Sequence, residues 1–416
     1  MIIKSPSRFT PCTIELPPSK SVANRAIVLS CLYGNTATSE IIRRQFIGQP
    51  ACDDIHAMQN LTDRLTLDTD FFVEASGTAM RFGTALMAVT EGTRTITGTE
   101  RLCQRPISPL VDALRTLGAE IEYLGEEGYP PLRIKGNPRM QGGELTIRGD
   151  ISSQFISALL MIAPKFIHPL ILNIEGDLVS QPYISMTLQM MARSFAVNPN
   201  SSIRLASSFG TLPIPSVSPL PTFSSIEPDW SAAAFWYEMN VLSGVEFDLS
   251  GLDFDSVQGD CVCHEIFGLL LNEIRIREDK SEEALPFEYD FTLCPDLVQA
   301  VVVTCSMKHI PFRFTGLRTL RIKETDRISA LQTELLKMGF VITATSDTMT
   351  WDGTMHESST IPAPVSIATY NDHRMAMAFA PCAILLGEIN IENPEVVTKS
   401  YPTFWDDMKK AGMIIN

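Results

Sequence analysis

LVDALRTLGAEIEYL, residues 110–124, and LQTELLKMGFVITAT, residues 331–345, are one phrase written twice. In the first, Leu110, Leu114 and Leu117 share a helical face and Gly118 follows as a left-handed stop, after which AEIEYL alternates like a half-buried strand. In the second, Leu331, Leu335 and Met338 lead into Gly339, and FVITAT takes the place of the strand. Apolar positions at equal offsets before each glycine, about 220 residues apart, predict a duplicated unit and two related domains. Short β-type runs alternate with amphipathic helices along the rest of the chain, which gives an α/β class.

The pattern breaks at TLPIPSVSPLPTFSSIEP, residues 211–228, a Pro- and Ser-rich tract that reads as an irregular connection before Asp229 opens the helical run WSAAAFWYEM. A first half is therefore expected at about 17–227. RIREDKSEEALPFEYD, residues 275–290, is charged and reads as a surface loop, and the apolar stretch from Met375 to Leu386, interrupted by Pro381, as a buried helix.

The 416 residues suffice for roughly two to three domains of about 150 residues each. Hydrophobic residues make up 45% and charged ones 19%, an ordinary globular balance that argues against disorder. With 33 Lys and Arg against 48 Asp and Glu, the net charge of −15 argues against nucleic acid as a partner, although a small anion needs only a few convergent cations. MIIKSPSRFT lacks the apolar run of a secretory signal, and no segment reaches about 18 uninterrupted apolar residues, so no membrane association is expected. Nine scattered cysteines without CxxC pairs suit reduced thiols in a cytoplasm. Cys261, Cys263 and His264 have no second ligand pair at zinc spacing, so no metal is expected there.

Several segments place polar groups at helix starts. In ELPPSKSVANRAIVLSCL, Ser19, Lys20 and Ser21 form a turn and the apolar run from Val22 a helix, with Asn24 and Arg25 on its first turns. Helix-start N–H groups, two hydroxyls, a point charge and a forked guanidinium can hold phosphate or carboxylate, although a plain cap with two exposed cations reads the same residues. EASGTAMRF, residues 74–82, offers Gly77 for close backbone approach, Thr78 as a cap and Arg81 to begin the next helix. Arg105 precedes Pro106 and another helix start. GDISSQFISALLM puts Ser152, Ser153 and Gln154 before an apolar helix, where they serve a polyhydroxylated or phosphorylated ligand or a capping cluster. GDLVSQPYI carries Ser180 and Tyr183.

Among the charged groupings, LRIKETDRISALQTEL gathers Lys323, Glu324, Asp326 and Arg327, either a self-neutralising surface cluster or a proton-transferring Glu324 with cations on both sides. TYNDHRMAMAFA sets Asp372, His373 and Arg374 ahead of an almost wholly apolar helix, less easily a surface feature. VVTKSYPTFW contains Lys399, and Asp296 heads the β-branched helix of CPDLVQAVVV.

Taken in order, SKSxxNRA, SGTAMR, RPIxxLVDALRxLGA, GDISSQF, LVSxPY, KETDR, YNDHRMAM and TKSYP resemble the 3-phosphoshikimate 1-carboxyvinyltransferase (5-enolpyruvylshikimate-3-phosphate synthase) family over residues 19–402. The resemblance implies an α/β fold of two similar domains, each three βαβαββ units with helices packed inside sheets (an inside-out α/β barrel), with ligands between the halves and closure on binding. It also assigns the first segment to the second half, making the domains 17–227 and, discontinuously, 1–16 with 228–416. The implied reaction joins phosphoenolpyruvate to the 5-hydroxyl of shikimate 3-phosphate and releases phosphate through a tetrahedral intermediate, with no metal or cofactor. A cytoplasmic monomer acting on these small molecules is expected.

Carried over by position, the resemblance assigns shikimate 3-phosphate to Lys20, Ser21, Arg25, Ser152, Ser153, Gln154, Ser180, Asp296 and Lys323. Phosphoenolpyruvate falls to Lys20, Gly77, Arg105, Gln154, Arg327, Arg374 and Lys399. Asp296 is the implied acceptor of the hydroxyl proton, with Glu324 and Lys20 the candidates for the remaining proton traffic. Departures from the family pattern are Pro18 for a usual Gly, Ala75 for Asn, Phe82 for Pro, Thr319 for Asn, and EPDWSAAAF for EGDxSSAAF, which retains Asp229 and Ser231. Each lost neutral hydrogen bond is worth about 0.5–1.5 kcal/mol, a matter of affinity, while the charged groups are intact. The related transferase acting on UDP-N-acetylglucosamine carries a reactive cysteine on a Gly-rich loop; Cys103, nearest in position, lacks flanking glycines. A non-catalytic shikimate-phosphate-binding paralogue is disfavoured by the retained Asp296 and Glu324.

Overall fold

A computed structural model describes residues 1–33, 51–67, 69–194, 204–207, 210–212, 226–278, 285–356 and 364–416. The chain divides into two compact units, residues 19–226 and residues 1–18 together with 227–416.

In the first unit, Asp70–Phe72 runs parallel to Gly92–Thr97, which pairs antiparallel with Leu132–Gly136, and that strand with Glu120–Tyr123. Alternation decides the faces. Ile121 lies opposite Ile134 on the buried side, while Glu120 and Glu122 point outward and pair across the strands with Lys135 at 2.9 Å and Arg133 at 3.0 Å. Exposed pairs of this kind contribute only about 0–1 kcal/mol, so burial of the isoleucine face sets the register. The preceding helix, Ser108–Thr116, stops before Gly118, whose φ of +103° is readily open only to glycine.

The second unit repeats this sheet. Phe287–Asp290 is parallel to Phe312–Thr315, which pairs antiparallel with Met349–Trp351, and that with Thr343–Ala344, in the same order. Gly339, at φ +91°, matches Gly118. The FVITAT strand is shorter than its pattern suggests. Phe340 makes an isolated bridge to Met355 and the Val341 N–H donates to the Thr354 carbonyl, so only Thr343 and Ala344 stay in the ladder. A further sheet in this unit takes its third strand from the chain's start: Val365–Ile367 lies parallel to Glu388–Ile391, followed antiparallel by Ile2–Lys4 and Ile414–Ile415. Fully buried Ile3 pairs with both Ile389 and Ile415, tying the first residues to the last.

Each unit holds helices that are buried on every side, as in a helix surrounded by protein. Every residue of Val298–Met307 and His373–Phe379 is buried, as are all of Gly77–Ala88 except Thr78 and all of Ser153–Ile162 except Gln154. Three hydroxyls inside these helices are satisfied locally: Thr84, Thr304 and Ser306 donate to the carbonyls of Met80, Ala300 and Val302 at 2.7–2.9 Å. The Met375–Leu386 stretch is not one helix. Pro381 cannot supply an N–H, and the chain passes through a 3-10 turn, Ala380–Cys382, to Ala383–Leu386.

The 275–290 tract is likewise not a loop throughout, because residues 275–278 finish the helix Cys263–Glu278 and residues 287–290 form the strand Phe287–Asp290, whose Phe287 is buried. The 211–228 connection lies mostly outside the described residues; at its end Asp229 donates its N–H to Pro17 and caps Trp230–Ser243 by accepting from the Ala232 N–H at 3.1 Å.

Glu238, within Trp230–Ser243, is fully buried and its carboxyl oxygens have no hydrogen-bond partner among the described residues. Burial pushes its pKa well above the carboxylate range. The folded state therefore holds a proton that the unfolded chain releases above about pH 4.3. The stability linked to that proton is complete at lower pH and is lost as pH rises towards the folded pKa, by about 1.4 kcal/mol per unit. Glu238→Gln should flatten the decline of thermal stability between about pH 5 and pH 7 and exceed the parent at the upper end; parallel pH profiles would contradict this.

Candidate active site

In the unit of residues 19–226, the helix begins at Lys20, earlier than the apolar run suggested, because the Ser19 hydroxyl accepts from the Val22 N–H at 3.5 Å and draws the intervening residues into the first turn. Lys20 Nζ stands 3.4 Å from Asp54 Oδ2, on the first turn of Asp53–Asp63. Arg25 is 2% exposed and held entirely by neutral oxygens. Its Nε donates to Thr187 Oγ1 at 2.7 Å, Nη1 to the Ser21 carbonyl at 2.9 Å, and Nη2 to Ser157 Oγ and the Tyr183 carbonyl, both at 3.2 Å. No carboxylate among the described residues pairs with it. Burial pulls its pKa down to about 10, which leaves it a cation at neutral pH. A desolvated cation without a counter-ion favours an anionic ligand.

Three polar helix starts lie in the same unit. Ser76, not Thr78, caps Gly77–Ala88, accepting from the Ala79 N–H at 3.1 Å, so Arg81 falls within the helix. Thr78 is thereby free of capping and its hydroxyl accepts from Gln154 Nε2 at 3.1 Å. Ser152 caps the helix of Ser153 and Gln154. Ser180 takes φ +54° just before Gln181–Ser194. At Gly77 a Cβ would come within 2.5 Å of Arg81 Nη1 and 2.8 Å of Arg105 Nη1, so the absent side chain admits two guanidinium groups against the backbone.

In the other unit, Arg327 is the hub. Its Nε meets Asp372 Oδ2 at 2.7 Å, Nη1 meets Asp296 Oδ1 at 2.8 Å, and Nη2 meets Glu324 Oε2 at 3.0 Å. Lys323 and Arg374 approach the Asp296 carboxylate at 3.5 and 3.3 Å, and Lys399 donates to Glu324 Oε1 at 2.9 Å. Helix caps deliver these groups: Asp326 starts Arg327–Lys337, and Asp372, accepting from the Arg374 N–H at 2.9 Å, starts His373–Phe379. Four cations thus face three carboxylates.

Burial raises the Asp296 pKa, but Arg374, Lys323 and Arg327 together outweigh it and hold the acid well below the ordinary carboxylate range. Burial likewise opposes the Arg327 charge, and Asp372, Glu324 and Asp296 overcome it. Asp260, beside the Ser231 hydroxyl, is pushed up to about 6 by burial and by Asp296. The result is an ionised carboxylate and a second carboxylate on one guanidinium, amid cations able to bind anions.

The cluster gathers Asp296, Lys323, Glu324, Arg327, Arg374 and Lys399, all singled out from sequence. The role of Asp372 as a clamp and those of Asp54 and Thr187 were missed, because no spacing connects residues that meet only in the folded chain. The one available signal was the charged triplet before an apolar helix. Cys103, at the end of Glu100–Cys103, has its Sγ 3.6 Å from the Gly98 carbonyl. His264 packs edge-on against Phe254, with centroids 4.7 Å apart.

Among solved structures, an EPSP synthase from Acinetobacter baumannii matches with a TM-score of 0.65 at 19% identity, covering 100% of this chain and 99% of that one, so the chain shares the fold of that structure. The family profile of EPSP synthase (3-phosphoshikimate 1-carboxyvinyltransferase) matches residues 66–408. A Bacteroides fragilis protein named 3-phosphoshikimate 1-carboxyvinyltransferase is 44% identical over 99% of this chain and 97% of its own length, and one from Cellvibrio japonicus is 33% identical over 97% of each. The chain belongs to the EPSP synthase family. Enolpyruvyl transfer in the shikimate pathway is its activity, and the family uses phosphoenolpyruvate and shikimate 3-phosphate as small-molecule substrates. Among the described residues no helix is long and apolar enough to cross a membrane.

Arg327→Met should lower the unfolding free energy by about 3–5 kcal/mol, because it strands Asp372 without its counter-charge. Arg327→Lys, which keeps the charge but not the fork, should cost less than half of that. Urea titrations check both, and a lysine variant as unstable as the methionine variant would refute the counter-charge argument.

Proposed function

We propose that the residues of both units serve one reaction, in which the 5-hydroxyl of shikimate 3-phosphate adds to C2 of phosphoenolpyruvate and phosphate is then eliminated. Residues 17–227 and residues 1–16 with 228–416 are the two enolpyruvyl-transferase domains of a cytoplasmic monomer. The observation that carries this reading is the Arg327 cluster, which sets ionised Asp296 and Glu324 among four cations.

Lys20, Ser21, Arg25, Ser152, Ser153, Gln154, Ser180 and Lys323 bind shikimate 3-phosphate, with Arg25 supplying a cation that meets no carboxylate among the described residues. Lys20, Gly77, Arg105, Gln154, Arg327, Arg374 and Lys399 bind phosphoenolpyruvate. Asp296 accepts the hydroxyl proton as the new C–O bond forms and a proton adds to the methylene carbon. The intermediate then loses a methyl proton, the bond between C2 and the phosphate oxygen breaks as the C=C bond forms, and phosphate leaves with the electron pair; Glu324 and Lys20 carry these protons. Held below the usual carboxylate range, Asp296 is by itself a weak base. Anionic substrates that share Arg374, Lys323 and Arg327 relieve that pull and raise its proton affinity at the step where a proton must be taken.

Purified protein should release phosphate only when both phosphoenolpyruvate and shikimate 3-phosphate are present. Asp296→Asn and Glu324→Gln should each cost about 10²–10⁴ in kcat. Release with UDP-N-acetylglucosamine as the acceptor, or full activity in the Asp296 variant, would count against the reading.

A further inference from the structure

We propose that Glu334 and Tyr370 are positioning residues that hold Asp372 and Arg374 in register with Arg327, and so set the affinity of the phosphoenolpyruvate end of the site. This rests on the assignment of Arg327 and Arg374 made above.

The helix Arg327–Lys337 carries both ends of the device. Glu334 lies seven residues after Arg327, about two turns along the same face, and both side chains are buried. Arg327 reaches Asp372, while Glu334 reaches the residues just before it. Glu334 Oε1 accepts from the Tyr370 hydroxyl at 2.6 Å, and Oε2 accepts from the Ala368 N–H at 3.1 Å and from Lys337 Nζ at 2.5 Å. Lys337 Nζ also donates to the Ser366 carbonyl at 3.0 Å. Two residues of one helix, Glu334 and Lys337, therefore grip Ser366, Ala368 and Tyr370 before the Arg327 contact is counted.

That segment needs gripping. Tyr370 and Asn371 have φ values of +54° and +55°, two consecutive side-chain-bearing residues in the left-handed region, where a tyrosine is disfavoured. Tyr370 is 38% exposed, so packing alone does not secure it. The tight reversal aims Asp372: one oxygen caps the Arg374 N–H at 2.9 Å and the other takes Arg327 Nε at 2.7 Å. Strain at such a position persists only where surrounding contacts over-determine it, and Glu334 supplies those contacts. Burial and the bond to Glu334 push the Tyr370 phenol up to about 12, so it remains the donor through the neutral range.

The test uses the full chain with Tyr370→Phe, a mild change expected to fold, and Glu334→Gln, which keeps an acceptor for the phenol but turns a donor towards Ala368 and Lys337. Tyr370→Phe should raise KM for phosphoenolpyruvate about tenfold, the loss of one hydrogen bond to a charged acceptor, and leave KM for shikimate 3-phosphate within about twofold. Hydrogen exchange of the 370–374 amides should quicken about tenfold in both variants while the rest of the helix Arg327–Lys337 is unchanged. A lower melting temperature with both KM values unchanged, an equal rise in both, or unaltered exchange would each overturn the proposal. If the parent protein itself fails to turn over the two substrates, the functional reading falls, and exchange alone then decides whether Glu334 and Tyr370 hold the segment.

Discussion

A guanidinium that is almost wholly out of water needs its charge matched, and Arg327 obtains this from Asp296, Glu324 and Asp372, which belong to three separate stretches of one unit. Desolvating each ion costs several kcal/mol, so the arrangement survives only because each nitrogen of the fork finds an oxygen at 2.7–3.0 Å. The caps at Asp326 and Asp372, the turn before Val298–Met307 and the left-handed pair at Tyr370 and Asn371 all serve that geometry. The same contacts keep Asp296 ionised at neutral pH in the ligand-free protein, so structure and chemistry share one set of bonds.

The unit of residues 19–226 solves the burial of a cation differently. Arg25 has hydroxyls and carbonyls about it in place of carboxylates, and its pKa falls where that of Arg327 rises. A self-paired cluster is pre-shaped but must share its cations with an anion. A neutral cradle leaves its charge available, at the cost of poorer solvation. The negative charge of the whole chain, −15, says nothing about either, because a handful of fixed cations outweighs a diffuse acidic surface at short range.

Much of the architecture was legible because it rests on periodicity. Leu110, Leu114 and Leu117 before Gly118, and Leu331, Leu335 and Met338 before Gly339, announced a repeated unit that recurs as two sheets with one strand order. The errors fell where a local competitor acted. Ser19 drew the helix start back to Lys20, Ser76 displaced Thr78 as a cap, Pro381 divided an apolar run, and a bridge from Phe340 to Met355 shortened a strand.

Which residues bear charge, which helix starts hold them, and which stretches are apolar enough to form interior helices follow from the order of residues alone. These properties depend on neighbours within a turn or two of the chain. Only the tertiary structure decided that Asp372 clamps Arg327, that Glu334 braces Tyr370, that Arg25 rests on Thr187 and Ser157, and that Ile3 completes a sheet beside Ile389 and Ile415. Those partners are separated by tens to hundreds of residues, and a hydrogen bond requires a distance and an angle that only the folded backbone supplies.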